Sequence, residues 1–163
     1  MKGVIRLLCL TAVGALVACA ANSAVPPPST TAPDQSVEQN VWSLTFHLSG
    51  GFVGFDRELS LTSRGELKVS DRRRAVQAAT QASANELAQI ASMVAGLKAV
   101  EAGRRSLCND CLQYDLSAQV NGRTVVSSLN DLSLPGNPVE PLVRLLTTML
   151  NRELAAQANT QGR

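Results

Sequence analysis

Polar and apolar residues alternate along several stretches of the chain, and a period of two is that of a half-buried β-strand. In the first stretch, Trp42, Leu44, Phe46 and Leu48 share one face, and polar residues occupy the other. The same pattern predicts strands at 41–49, at 55–63, around Leu67 and Val69, at 113–120 and at 123–129.

Short turn motifs connect these predicted strands. Ser63-Arg64-Gly65 separates the second strand from the third, and the first three strands are typical of an antiparallel meander. Asn121-Gly122 indicates a two-residue hairpin, because both residue types tolerate positive φ. The predicted sheet is therefore built from hairpins.

Two helices are predicted where the apolar spacing changes to three and four. The first begins with Ser83 and Glu86, which fit a capping box, and the second with Asn137-Pro138, a cap and a first-turn proline. Their apolar stripes are Leu87, Ile90, Val94 and Leu97, and Leu142, Leu145, Leu146, Met149 and Leu150. The order strand-strand-strand-helix-strand-strand-helix predicts an α+β fold, with an antiparallel sheet of about five strands and two helices packed on one face.

The N-terminus is typical of an exported lipoprotein. Lys2 and Arg6 precede an apolar run of about a dozen residues, too short to span a bilayer as a helix. The run ends in Leu-Val-Ala-Cys at 16–19, which resembles a lipobox and predicts lipidation of Cys19 after removal of the signal peptide, 1–18. Ala20 then indicates sorting to the outer membrane, on its periplasmic face, if the source is a diderm bacterium; an ordinary signal peptide is the alternative.

Composition divides the remainder of the chain. Residues 19–40 carry the lipidated cysteine and a Pro/Ser/Thr tether, 41–152 the α+β domain, and 153–163 a polar tail. Cleavage removes two basic residues from a total of 15, which leaves 13 to match the 13 acidic residues. The run Asp71–Arg74 is interpreted as a solvated loop, and no nucleic-acid binding is expected, because no aromatic stacking platform accompanies the arginines.

Candidate catalytic residues are few. His47 is the only histidine, which excludes an HExxH motif or a multi-histidine metal site. It lies on the polar side of a predicted strand, away from any nucleophile-elbow sequence, so a surface histidine is the favoured interpretation. We expect no enzyme activity, no metal and no cofactor.

The sharpest local pattern is Cys108-Asn-Asp-Cys111. The export signal indicates an oxidising compartment, which favours a structural disulfide closing a very short loop. Metal binding would need a second pair of ligands, and thioredoxin-like redox chemistry would need the motif at a helix N-terminus. These alternatives, together with free or intermolecular thiols, stay open at this point.

The stretch SGGFVGFDR at 49–57 crowds three glycines and two phenylalanines into one predicted hairpin tip. A glycine loses more conformational entropy on folding than any other residue, and large aromatic side chains are normally covered rather than exposed. In one interpretation the glycines form a bulged hairpin and Phe52 and Phe55 fold back into the core. In the other, at least one ring faces outward toward a partner.

This stretch resembles the emfourin family, small bacterial protein inhibitors of thermolysin-like zinc metallopeptidases of the protealysin type. The family pattern is close to Gly-Gly-Phe-Ala-Gly-Ile-x-Arg. Gly50, Gly51, Phe52, Gly54 and Arg57 match it, while Val53 replaces the usual Ala and Phe55 the usual Ile. The resemblance covers roughly residues 41–152, but the lipid anchor and the cysteine pair are not part of the pattern. It implies that these seven residues form an inhibitory, protein-binding site. We expect Arg57 to pair with an acid of the enzyme or, equally, with Asp56 or Glu58 nearby.

The sequence therefore supports a lipid-anchored inhibitor or binder of thermolysin-like metallopeptidases. The membrane is reached through the N-terminal lipid. The alternative is a non-enzymatic envelope lipoprotein that serves assembly or scaffolding by binding another protein.

Overall fold

A computed structural model describes residues 41–98 and 108–161. Six strands form one antiparallel sheet in the order β4-β3-β2-β1-β5-β6. The elements are β1 (Trp42–Gly50), β2 (Phe55–Thr62), β3 (Glu66–Asp71), β4 (Val76–Gln81), α1 (Ala84–Ala95), β5 (Leu112–Val120), β6 (Arg123–Asn130) and α2 (Glu140–Gln161). The expected α+β class and antiparallel sheet are confirmed.

The alternation in the sequence separates the two faces of this sheet. On β1, the apolar set that begins with Trp42 is buried, and the polar residues between its members are more exposed. The buried face continues onto β2 and β5, where Leu59 and Leu116 lie opposite Phe46. Both helices cover this face, and α2 contacts β2, β3 and β4 while α1 contacts β5. Neither helix of the part of the chain that the structure describes packs on the other face.

Strand β4 was not predicted from the sequence. It is an edge strand with the sequence VQAATQ, and four of its six residues are exposed. Since neither face of β4 is fully buried, its sequence lacks the regular apolar alternation that reveals the other strands. Residues 71–74 were predicted to form a solvated loop. In the structure they are the end of β3 and most of the β3–β4 turn.

The capping box of α1 is present as predicted. The Ser83 hydroxyl accepts a hydrogen bond from the Glu86 N–H, and the Glu86 carboxylate accepts one from the Ser83 N–H at 2.9 Å. Glu86 also pairs with Arg152 on α2, which fastens the two helices together. This hydrogen bond from Arg152, with the bonds from Ser83, lowers the pKa of Glu86 to about 2.

Helix α2 continues further than predicted. It extends to Gln161, through most of the segment assigned to a polar tail at 153–163. Leu154 is buried and keeps this last part of the helix against the sheet. The alanines around it are strong helix formers, which explains why a polar sequence remains helical here.

The predictions for the N-terminus concern residues outside those described. The signal peptide at 1–18, the lipidation of Cys19 and the tether up to residue 40 therefore stay predictions. Neither helix among residues 41–98 and 108–161 is long and apolar enough to cross a bilayer.

Candidate protein-binding site

The glycine-rich stretch forms the connection between β1 and β2. Gly50 pairs with Phe55 as the last rung of the ladder, and four residues, 51–54, complete the reversal. The Gly54 N–H donates to the Gly51 carbonyl at 2.8 Å, which closes the turn. Gly50, Gly51 and Gly54 all have positive φ, between 65° and 79°, so the conformation strongly favours glycine at these three positions. We call residues 51–54 the tip.

The two phenylalanines lie in different environments. Phe52 is 96% exposed, and its neighbour Val53 is 62% exposed. Phe55 is half-buried, and the Arg57 guanidinium lies 4.2 Å from the centre of its ring. Each interpretation therefore holds for one ring: Phe55 turns back toward the protein, and Phe52 faces solvent.

Arg57 is engaged within the protein. Its Nε donates to Asp71 Oδ2 at 2.9 Å, and its Nη1 donates to Asn151 Oδ1 on α2 at 2.8 Å. Both members of the Arg57–Asp71 pair are largely buried, with 11% and 5% of their side chains exposed. Of the alternatives expected for Arg57, pairing with Asp56 or Glu58 is wrong, because on adjacent β2 positions those carboxylates occupy the opposite face of the sheet. Arg57 holds the base of the hairpin in place.

One side of the tip rests on the cysteine loop. Cys108 and Cys111 form a disulfide with their Cα atoms 5.5 Å apart, which confirms the favoured interpretation of this pair. The Cys111 carbonyl accepts a hydrogen bond from the Gly51 N–H at 3.0 Å. The same carbonyl oxygen would lie only 2.6 Å from a Cβ placed on Gly50. A side chain at Gly50 would therefore force the hairpin and the cysteine loop apart.

The other side of the tip is held by Arg73, from the β3–β4 turn. Its Nη1 donates to the Val53 carbonyl at 2.5 Å and to the Gly54 carbonyl at 2.7 Å. A charged donor that bonds to the carbonyls of two successive tip residues restrains the backbone at both of them. Sequence reasoning missed this role, because nothing local in the Arg72–Arg74 run indicates which loop it will meet.

No protein-family model matches the chain, no curated protein matches its sequence, and no solved structure matches its fold. The likeness of the tip to the emfourin motif therefore rests on the residues themselves.

His47 lies on the uncovered face of the sheet, among carboxylates. Its Nε2 is 2.9 Å from Asp56 Oδ1, and its Nδ1 is 4.0 Å from Asp115 Oδ2. The Ser128 hydroxyl donates to Asp115 at 2.5 Å, so this serine is bonded to a carboxylate rather than arranged as a nucleophile beside the histidine. Residues 41–98 and 108–161 contain no cluster of three or more side chains that would hold a metal ion.

Proposed function

We propose that this protein is a bacterial envelope lipoprotein whose α+β domain binds and inhibits thermolysin-like zinc metallopeptidases through the tip. The observation that carries the proposal is the 96% exposure of Phe52 on a turn restrained from both sides. A large aromatic side chain that nothing in the fold covers is typical of a contact with a partner.

The geometry of the tip suits insertion into a cleft. The glycines on both sides of Phe52 and Val53 carry no Cβ, so the backbone can approach the walls of a cleft closely. The emfourin resemblance implies an enzyme with an apolar pocket for a bulky side chain, and Phe52 is the tip residue that such a pocket would accept. Because the turn is already ordered by Cys111 and Arg73, little conformational entropy would be lost on binding.

The anchor would place this activity at the membrane. A multiply acylated Cys19 is a stable attachment, and the tether at 20–40 would hold the domain off the bilayer surface. The proposed site of action is the cell envelope, at the periplasmic face of the outer membrane in a diderm bacterium.

Titration of a thermolysin-like metallopeptidase with the mature lipoprotein in detergent micelles tests the proposal. We expect stoichiometric inhibition by the parent, and a loss of about 30-fold or more in affinity for Phe52→Ala, since buried aromatic anchors of interfaces contribute about 2 kcal/mol or more. Val126→Ala is the matched control, because Val126 is 53% exposed on β6. Phe52→Ala that inhibits as well as the parent would show that the tip is not the inhibitory element.

Failure of the parent to inhibit peptidases of this class would instead favour the scaffold function. In that case the exposed tip would serve attachment to another envelope protein.

A further inference from the structure

Outside the tip, another large apolar side chain is exposed at the same end of the sheet. Leu132 is 68% exposed, in the loop that follows β6. Gly50 at the end of β1 pairs with Leu112, and the adjacent Gln113 pairs with Asn130 at the end of β6. Neighbouring strands lie about 4.8 Å apart, so the base of this loop is roughly 10 Å from the base of the tip.

The loop carrying Leu132 has a fixed conformation. The Asn130 side-chain oxygen accepts hydrogen bonds from the N–H groups of Leu132 and Ser133, both at 3.0 Å. Two residues beyond Leu132, Leu134 is buried in the core, so the loop is anchored from below while Leu132 faces solvent. The exposure of Leu132 is therefore set by the surrounding bonds.

Asp131 connects this loop to the segment that supports the tip. Its Oδ2 accepts from the Leu112 N–H and its Oδ1 from the Tyr114 hydroxyl, both at 2.8 Å. Burial, with this bond to Asp131, raises the pKa of Tyr114 to about 12, so its hydroxyl keeps its proton in any ordinary assay. The residue before Leu112 is Cys111, which holds Gly51. One continuous set of hydrogen bonds thus joins the Leu132 loop to the tip.

We infer that Leu132 is a second apolar anchor of the same protein-binding surface. This inference rests on the proposed function and extends it. The partner would offer a pocket for Phe52 and, on the rim of its cleft, an apolar patch for Leu132. Two contacts fixed relative to each other would also restrict which partners fit, because a protein lacking the second patch would leave Leu132 unburied.

A protein partner fits this end of the molecule better than a lipid surface. The disulfide loop and the loop after β6 carry the exposed acids Asp110 and Asp131, beside the proposed second anchor. The exposed Arg72 and Arg74 lie on the other side of the tip, so this end of the molecule carries charges of both signs. A partner protein can match such a mixed pattern, whereas an anionic bilayer would attract one side and repel the other.

Inhibition measurements on the mature lipoprotein in detergent test the inference. Against a thermolysin-like metallopeptidase, we expect Leu132→Ala to raise the inhibition constant about fivefold, a partial effect typical of contacts outside the central anchor. Leu132→Met should stay within about twofold of the parent, because it keeps an apolar side chain of similar volume. Val126→Ala, an exposed valine in the middle of β6, should also leave inhibition unchanged.

The outcomes separate this inference from the proposed function. If the parent inhibits and Leu132→Ala matches Val126→Ala, the second anchor is excluded while the role of the tip stands. If the parent does not inhibit, both fail together. Fluorescence of Leu132→Trp tests a membrane role once the spectra of the parent, whose Trp42 is buried, and of the peptidase are subtracted. We expect a blue shift on adding the peptidase and none on adding phosphatidylglycerol vesicles. A shift with the vesicles alone would overturn the assignment of a protein partner.

Discussion

Two turns in this sheet each connect a pair of antiparallel strands, but they differ in length and in the contacts they make. Asn121 and Gly122 join β5 to β6 with two residues of positive φ, 49° and 78°, and nothing lies within 4 Å of a Cβ placed on Gly122. The tip joins β1 to β2 with four residues, contacts Cys111 and Arg73, and exposes Phe52.

The comparison separates what the fold needs from what it does not. An Asn-Gly turn is sufficient to reverse an antiparallel pair, and the chain uses one. The additional residues of the tip, and the two restraints on it, add nothing that chain reversal requires. They therefore support the proposed role of the tip in binding, since ordered loops that exceed structural need are where proteins commonly place contacts.

Alanine at matching glycines should produce the largest difference between the two hairpins. Gly50→Ala combines positive φ with a Cβ only 2.6 Å from the Cys111 oxygen, whereas Gly122→Ala meets only the conformational cost. We expect the free energy of unfolding to fall by about 3 kcal/mol for Gly50→Ala and by about 1 kcal/mol for Gly122→Ala. Denaturant unfolding measures both, and equal losses would show that the cysteine loop does not support the tip.

Removal of the disulfide should have an intermediate effect. Replacing Cys108 and Cys111 together by serine opens a very short loop, so we expect a stability loss of about 2 kcal/mol or less. Amide exchange of Gly51 should accelerate more than that of Gly122, because the Gly51 N–H bonds to the Cys111 carbonyl. Unchanged exchange at Gly51 would contradict the proposed support.

Loss of Arg73 should weaken binding with little change in stability. Arg73→Ala frees the carbonyls of Val53 and Gly54, and we expect about a tenfold weaker inhibition, or about 1.4 kcal/mol. Arg72→Ala is the control, because Arg72 lies in the same turn but pairs with Glu58 at 3.1 Å on the surface, where ion pairs contribute little. Similar losses for both variants would indicate a general effect of positive charge rather than support of the tip.

Acid should act on the helix layer, because the carboxyl with the lowered pKa, Glu86, lies there. The pKa of Glu86 is lowered to about 2 in the folded protein by the hydrogen bond from Arg152 and by those from Ser83. This contribution to stability is complete above the ordinary pKa of about 4.5 and is lost as the pH falls toward 2. Unfolding measured from pH 6 to pH 2 should show the decline, and Glu86→Gln should show less of it.

Most of the fold can be predicted from local patterns in the sequence, whereas the contacts that support the tip cannot. The period-two alternation around Phe46, the capping box at Ser83 and the Asn121-Gly122 turn each predict their own structure. Edge strand β4 was not predicted, because most of its residues are exposed and its sequence therefore lacks an alternation of apolar and polar residues. The contacts of Arg73 and Cys111 with the tip join residues far apart in the chain, and only the strand order brings them together.

Replacing the tip by the other turn tests the central claim most directly. Substituting Asn-Gly for residues 51–54 would leave Gly50 and Phe55 paired and the sheet closed by a turn it already uses. We expect the chimera to fold, with the circular dichroism of the parent, and to lose all measurable inhibition of a thermolysin-like metallopeptidase that the parent inhibits. A folded chimera that inhibits as strongly as the parent would contradict the account.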